Sequence, residues 1–92
     1  MDTEILIEAC EASAISALDL KQVIQDNGSE AIECYSLTEL GADGYRKSQT
    51  GWLLWLPEQS RAGIAWGADA DWTDADSPEH ALSLWQSGEM MN

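Results

Sequence analysis

Positive charge is what this sequence has least of. Four Lys and Arg stand against seventeen Asp and Glu, a formal net charge of −13 at pH 7. An excess of one sign on that scale repels itself in a compact state, and it also repels DNA, RNA and anionic lipid, whose fixed charges are negative. Direct nucleic-acid binding and attachment to an anionic membrane are therefore not expected, and a basic protein becomes the expected partner. The same acidity would also serve simply to keep a small protein in solution, and charge alone does not separate the two readings.

Histidine and cysteine are scarce as well. His80 is the only histidine, so a serine or cysteine triad would rest wholly on it. Beside Glu79 in the first turn of an expected helix, it reads as a surface residue. Cys10 and Cys34 are the only cysteines, and neither lies in a C-x-x-C or Cys/His cluster, so no zinc site is expected. Gly63 and Gly67 lack the following Lys-Ser/Thr or the G-x-G pattern of a phosphate loop. No basic segment followed by an apolar one opens the chain, and no apolar run approaches the ~20 residues of a membrane span. The expectation is a non-enzymatic cytoplasmic protein with reduced thiols, no cofactor and no metal, folded as one domain over residues 1–92.

What the sequence does hold is a concentrated acidic segment. Asp69, Asp71, Asp74, Asp76 and Glu79 fall within eleven residues that contain no Lys or Arg. Calcium is the metal such oxygens would suit. Counted from Asp69 as an EF-hand loop, however, the sixth position is Asp74 where Gly is needed and the twelfth is His80 where Glu is needed. Only a weak, irregular site would remain. Hydrophobic content of 45%, with five Trp, argues against disorder despite the charge.

The surrounding chain reads as alternating elements. Residues 3–12 fit a helix, with Glu4, Glu8 and Glu11 on one stripe, and equally an edge strand with Thr3, Ile5, Ile7 and Ala9 on one face; the Glu and Ala content favours the helix. Asp19 and Gln22 have capping-box spacing with Leu18 and Val23 placed for a hydrophobic staple, which predicts a helix over 19–27 ended by Asn27-Gly28. A strand is expected over 31–37, then a turn-rich loop holding Arg46 and Lys47. Residues 51–56 and 61–67 read as a hairpin around Pro57, its first arm apolar on both faces. Ser77 as N-cap, Pro78 in the first turn and Glu79 behind it predict a helix over 78–87 whose Ala81, Leu82 and Trp85 face the core. Together these give an α+β fold with a three-stranded antiparallel sheet and helices on one face.

Carboxylates four apart on a helix are separated by ~6 Å along its axis, and those two apart on a strand by ~6.6 Å. Both are near the ~7 Å of two DNA rises, a spacing that a phosphate-reading groove of Lys and Arg would accept. The candidate partner-binding residues are therefore Asp69, Asp71, Asp74, Asp76 and Glu79, joined by Glu4, Glu8 and Glu11 where the two rows share a face. Trp72, flanked by Asp71 and Thr73, is either a lid on the sheet edge or an exposed anchor.

In size, acidity and layout, with the segment Ala9-Cys10-Glu11-Ala12, the hairpin, and Ala68 to Asp76 ahead of a Trp-bearing helix, the chain resembles the small acidic anti-CRISPR proteins of phages and mobile elements. One class of these mimics DNA. The resemblance implies an inhibitor that occupies the basic DNA-binding channel of a CRISPR surveillance complex in the host bacterial cytosol, with acids where phosphates would lie. A second likeness is to the HicB-type antitoxin domain. Its Gly-aromatic strand, Pro-acid turn and late Pro-Glu-x-Ala-Leu helix are similar to Gly51-Trp52, Pro57-Glu58 and Pro78-Glu79-His80-Ala81-Leu82, and imply an antitoxin or general protein-interaction module.

Overall fold

The computed structural model describes residues 4–41, 46–66 and 70–87, with the backbone alone for 46–50. Five strands, β1 (Glu4–Cys10), β2 (Glu33–Leu40), β3 (Arg46–Leu56), β4 (Arg61–Ala65) and β5 (Ala70–Asp74), form one antiparallel sheet in chain order. Among the described residues two α-helices accompany the sheet, α1 (Leu18–Asn27) between β1 and β2, and α2 (Pro78–Gln86) after β5. The class is α+β, as expected, but the sheet has five strands where three were read.

Both added strands correct the sequence reading. Residues 4–10 form an edge strand, not the favoured helix, because every one of them finds a partner on β2, from Glu4 opposite Leu40 to Cys10 opposite Cys34. Ala70 to Asp74 forms the opposite edge, pairing with β4 from Ala65 to Arg61, in the acidic segment to which the sequence reading assigns no strand. β3 is also longer than expected. It begins at Arg46, inside the stretch read as loop, and pairs with Leu40 past a register shift in β2.

The helices lie on opposite faces of the sheet, not on one. β3 explains why, since its alternate residues are apolar on both sides. Leu53 and Trp55 join Leu37, Ala62, Ile64, Ala81 and Leu82 beneath α2, whereas Leu54 and Leu56 join Ile15, Ala17, Leu20, Ile32, Cys34 and Ala65 beneath α1. The two tryptophans of this strand divide between the faces, with Trp55 under α2 and Trp52 packed on the α1 side. Leu53 and Leu54 are both fully buried, each contributing roughly 1.5–3 kcal/mol of apolar transfer.

Two glycines let tryptophans lie flat on these layers. A Cβ at Gly51 would overlap the ring of Trp66, which in turn stacks on Trp85 of α2 at 5.3 Å between centroids. A Cβ at Gly63 would stand 2.7 Å from the Trp72 ring. Neither glycine is needed for its backbone freedom; each is needed for space.

Helix α1 buries Leu20 and half-buries Val23 and Ile24, which make its inner stripe. It ends at Gly28, whose φ is 81° and whose N–H donates to Ile24 O at 2.8 Å. Its start differs from the expectation. Ala17 is the N-cap and makes no side-chain cap bond, so Asp19 lies inside the first turn and Gln22 donates to Asp26 instead of closing a capping box. Leu18 is 77% exposed and forms no staple. Burial of Ile15 and Ala17 fixes where the chain turns into the helix, and that overrides the local capping signal.

Candidate functional site

The best-defined polar structure is the start of α2. Ser77 caps it as expected, its Oγ accepting from the His80 N–H at 3.1 Å. His80 returns a bond to the preceding chain: its Nδ1 accepts from the Asp76 N–H at 3.0 Å. The pair is related to a capping box, but imidazole takes the place of Glu or Gln and its bond reaches Asp76, one residue before the Ser77 N-cap. Because Nδ1 is the acceptor, the proton of the neutral ring lies on Nε2. The Ala75 N–H donates to Ser60 O at 2.9 Å, joining the end of β5 to the β3–β4 turn. Asp76 and Glu79 are thereby held at one end of the sheet, both exposed.

Strand register brings further acids to that same end. Leu56 is opposite Arg61, which is opposite Asp74. Glu33 is opposite Trp55, and Glu11 directly follows Cys10, the partner of Cys34. Glu58 sits on the turn between β3 and β4. The end of the sheet is therefore rimmed by Glu11, Glu33, Glu58, Asp74, Asp76 and Glu79, all exposed. From β1 to β5 it spans four strand spacings, about 19 Å. The described positive side chain on this rim is Arg61, whose guanidinium carbon lies 5.3 Å from the centroid of Trp72.

Tyr35 reports how concentrated the charge is. Its hydroxyl donates to Glu33 Oε1, and the phenol is pushed up to about 12, first by that hydrogen bond, then by burial and by the charges of Glu33 and Glu79. Tyr35 is in register with Leu53, on the sheet face that α2 covers through β3 and β4.

The acids read from the sequence divide. Asp74, Asp76, Glu79 and Glu11 lie on the rim. Asp71 lies three residues up β5 and faces the α2 side, in register with Ile64, while Asp74 faces the other side with Arg61. Glu4 and Glu8 lie along β1 at the far edge of the sheet, Glu4 about 20 Å from Cys10 along the strand. The two rows therefore meet only through Glu11, because β1 carries Glu8 and Glu4 progressively away from the rim along the edge opposite β5. Asp69 lies outside the described residues. Trp72 takes the lid position: it is half-buried, flat on Gly63 and beneath Arg61.

Glu33 and Glu58 were missed by the sequence reading. Each is isolated among neutral neighbours in the chain, and only the register makes them neighbours of the acidic segment. Among the described residues, no group of three or more His, Cys, Asp or Glu is arranged to hold a metal ion. No described helix is long and apolar enough to cross a membrane. The chain matches no protein-family model, and no curated protein and no solved structure is significantly similar to it.

Proposed function

We propose that this protein is a non-enzymatic inhibitor that presents its acidic rim, in imitation of a DNA phosphate backbone, to the basic nucleic-acid-binding channel of a CRISPR surveillance complex. The observation that carries the reading is the run of exposed carboxylates across one end of the sheet, from Glu11 and Glu33 to Asp74, Asp76 and Glu79. A row ~19 Å wide is broad enough to meet several phosphate-binding cations at once. Held on strand ends and a capped helix, the rim carboxylates start from a fixed scaffold, which lowers the entropy cost of docking.

Opposite fields steer encounter, so association should be fast and should weaken steeply with salt. The test is to add the protein to a surveillance complex carrying labelled target DNA and to measure release at low and high ionic strength. The reading requires release that falls as salt rises. Release that is unaffected by salt would instead favour the second class of function, an antitoxin-like or general interaction module that binds through apolar surface.

A further inference from the structure

Cys10 ends β1, Cys34 is the second residue of β2, and the two are direct partners in the antiparallel register. Residues so opposed point to the same face, with Cα atoms about 4.5–5.5 Å apart and Cβ atoms at a similar distance. A disulfide spans Cα separations of about 4.4–6.8 Å and Cβ separations of about 3.5–4.5 Å. The backbone is therefore already in range, and at most ~1 Å of closure between the Cβ atoms is needed. Cys10 is the last residue of an edge strand, where such a movement disturbs one neighbour only.

Both thiols are free. They also share a wall of a cavity of about 500 Å³ between the end of β1 and the start of β2, together with Glu11, Ser13, Ser29 and Glu33. Cys10 is half-buried and Cys34 buried, so a small reagent entering the cavity meets Cys10 first. Burial raises both thiols above their ordinary value, and the charge of Cys10 adds to the rise at Cys34. Each thiol is thus a slow nucleophile toward solvent but stands next to the other.

We infer that Cys10 and Cys34 form a redox modification site, a dithiol that a small-molecule disulfide converts into an intramolecular Cys10–Cys34 bridge. The Cys10 thiolate attacks one sulfur of the reagent and releases one thiol, leaving a mixed disulfide on Cys10. The Cys34 thiolate then attacks Cys10 Sγ and releases the second thiol. Two S–H protons pass to the two released thiols, the reagent is reduced, and the protein is oxidised by two electrons. The bridge would tie together the two ends of the excursion that contains α1, and would fix Glu11 and Glu33 beside it.

The full chain is incubated with oxidised glutathione, trapped by alkylation and mapped by mass spectrometry without reduction. The expected product is a monomer lighter by about 2 Da, with Cys10 and Cys34 peptides cross-linked. Closure in the folded protein should be at least about tenfold faster than in urea, where the thiols are no longer held together. A Cys34→Ser variant should stop at one glutathione adduct on Cys10. A wild-type protein that also stops at that adduct, that links intermolecularly, or that closes faster in urea would overturn the inference.

Discussion

Gly63 is occupied, in effect, by the indole of Trp72. Adding a methyl would place a carbon 2.7 Å from that ring, so Gly63→Ala forces the indole off the sheet and separates it from Arg61. Overpacking of this kind costs typically 1–3 kcal/mol; a drop of that size in urea-unfolding free energy, with altered Trp fluorescence, is the expected outcome. Tyr35 offers a second residue-scale check. Its phenol in the folded protein is raised to about 12 by the Glu33 hydrogen bond and the neighbouring charges, above the unfolded value of about 10. Folding therefore favours the neutral phenol. The stabilisation is fully present below about pH 10 and is lost as pH rises toward 12. In a Tyr45→Phe background, phenolate absorbance should titrate near 12, and Glu33→Gln should move the midpoint down.

At the scale of elements, what was legible was what local chemistry decides. Ser77, Pro78 and Glu79 announce a helix start by themselves, and α2 begins there, with the Ser77 cap bond made. Ser77→Ala should cost about 1 kcal/mol of stability. The hairpin of β3 and β4 was equally readable from its apolar runs and Pro57. β1 was not, because its acids are four residues apart, and four is both about one helical turn and two strand periods. Glu4 and Glu8 therefore share a face in either state, and the choice is made by pairing with β2, some thirty residues away in sequence. β5 was hidden for a related reason. Asp and Ala are poor strand formers, and what recruits Ala70 to Asp74 is an open edge on β4 with room for Trp72 over Gly63. At α1 a good local signal lost to burial. Leu18 is exposed, so Leu18→Ser should change stability by less than ~0.5 kcal/mol, whereas Leu20→Ala, on the buried face of the same helix, should cost about 2–5 kcal/mol.

On the scale of the whole molecule, the sheet sorts charge in a way the linear sequence conceals. The acidic segment looked like the site itself; the fold sends Asp71 to the α2 face, keeps Asp74, Asp76 and Glu79 at one end, and brings Glu33 and Glu58 to join them. Glu4 and Glu8 are left on the far edge. The functional account accordingly rests on position and not on total charge, and two variants of equal charge change separate these. One replaces Glu33, Asp74, Asp76 and Glu79 with Lys; the other replaces Glu4, Glu8, Glu39 and Asp71, which lie along β1, β2 and β5 away from the rim. Both raise the net charge from −13 by the same amount. The decisive measurement is displacement of labelled DNA from the surveillance complex by each variant, after circular dichroism has established that both are folded. The account predicts that the rim variant loses displacement by at least about a hundredfold, the equivalent of roughly 2.7 kcal/mol, while the other remains within about tenfold of the parent. Equal loss in the two variants, or full displacement by the rim variant, would contradict it.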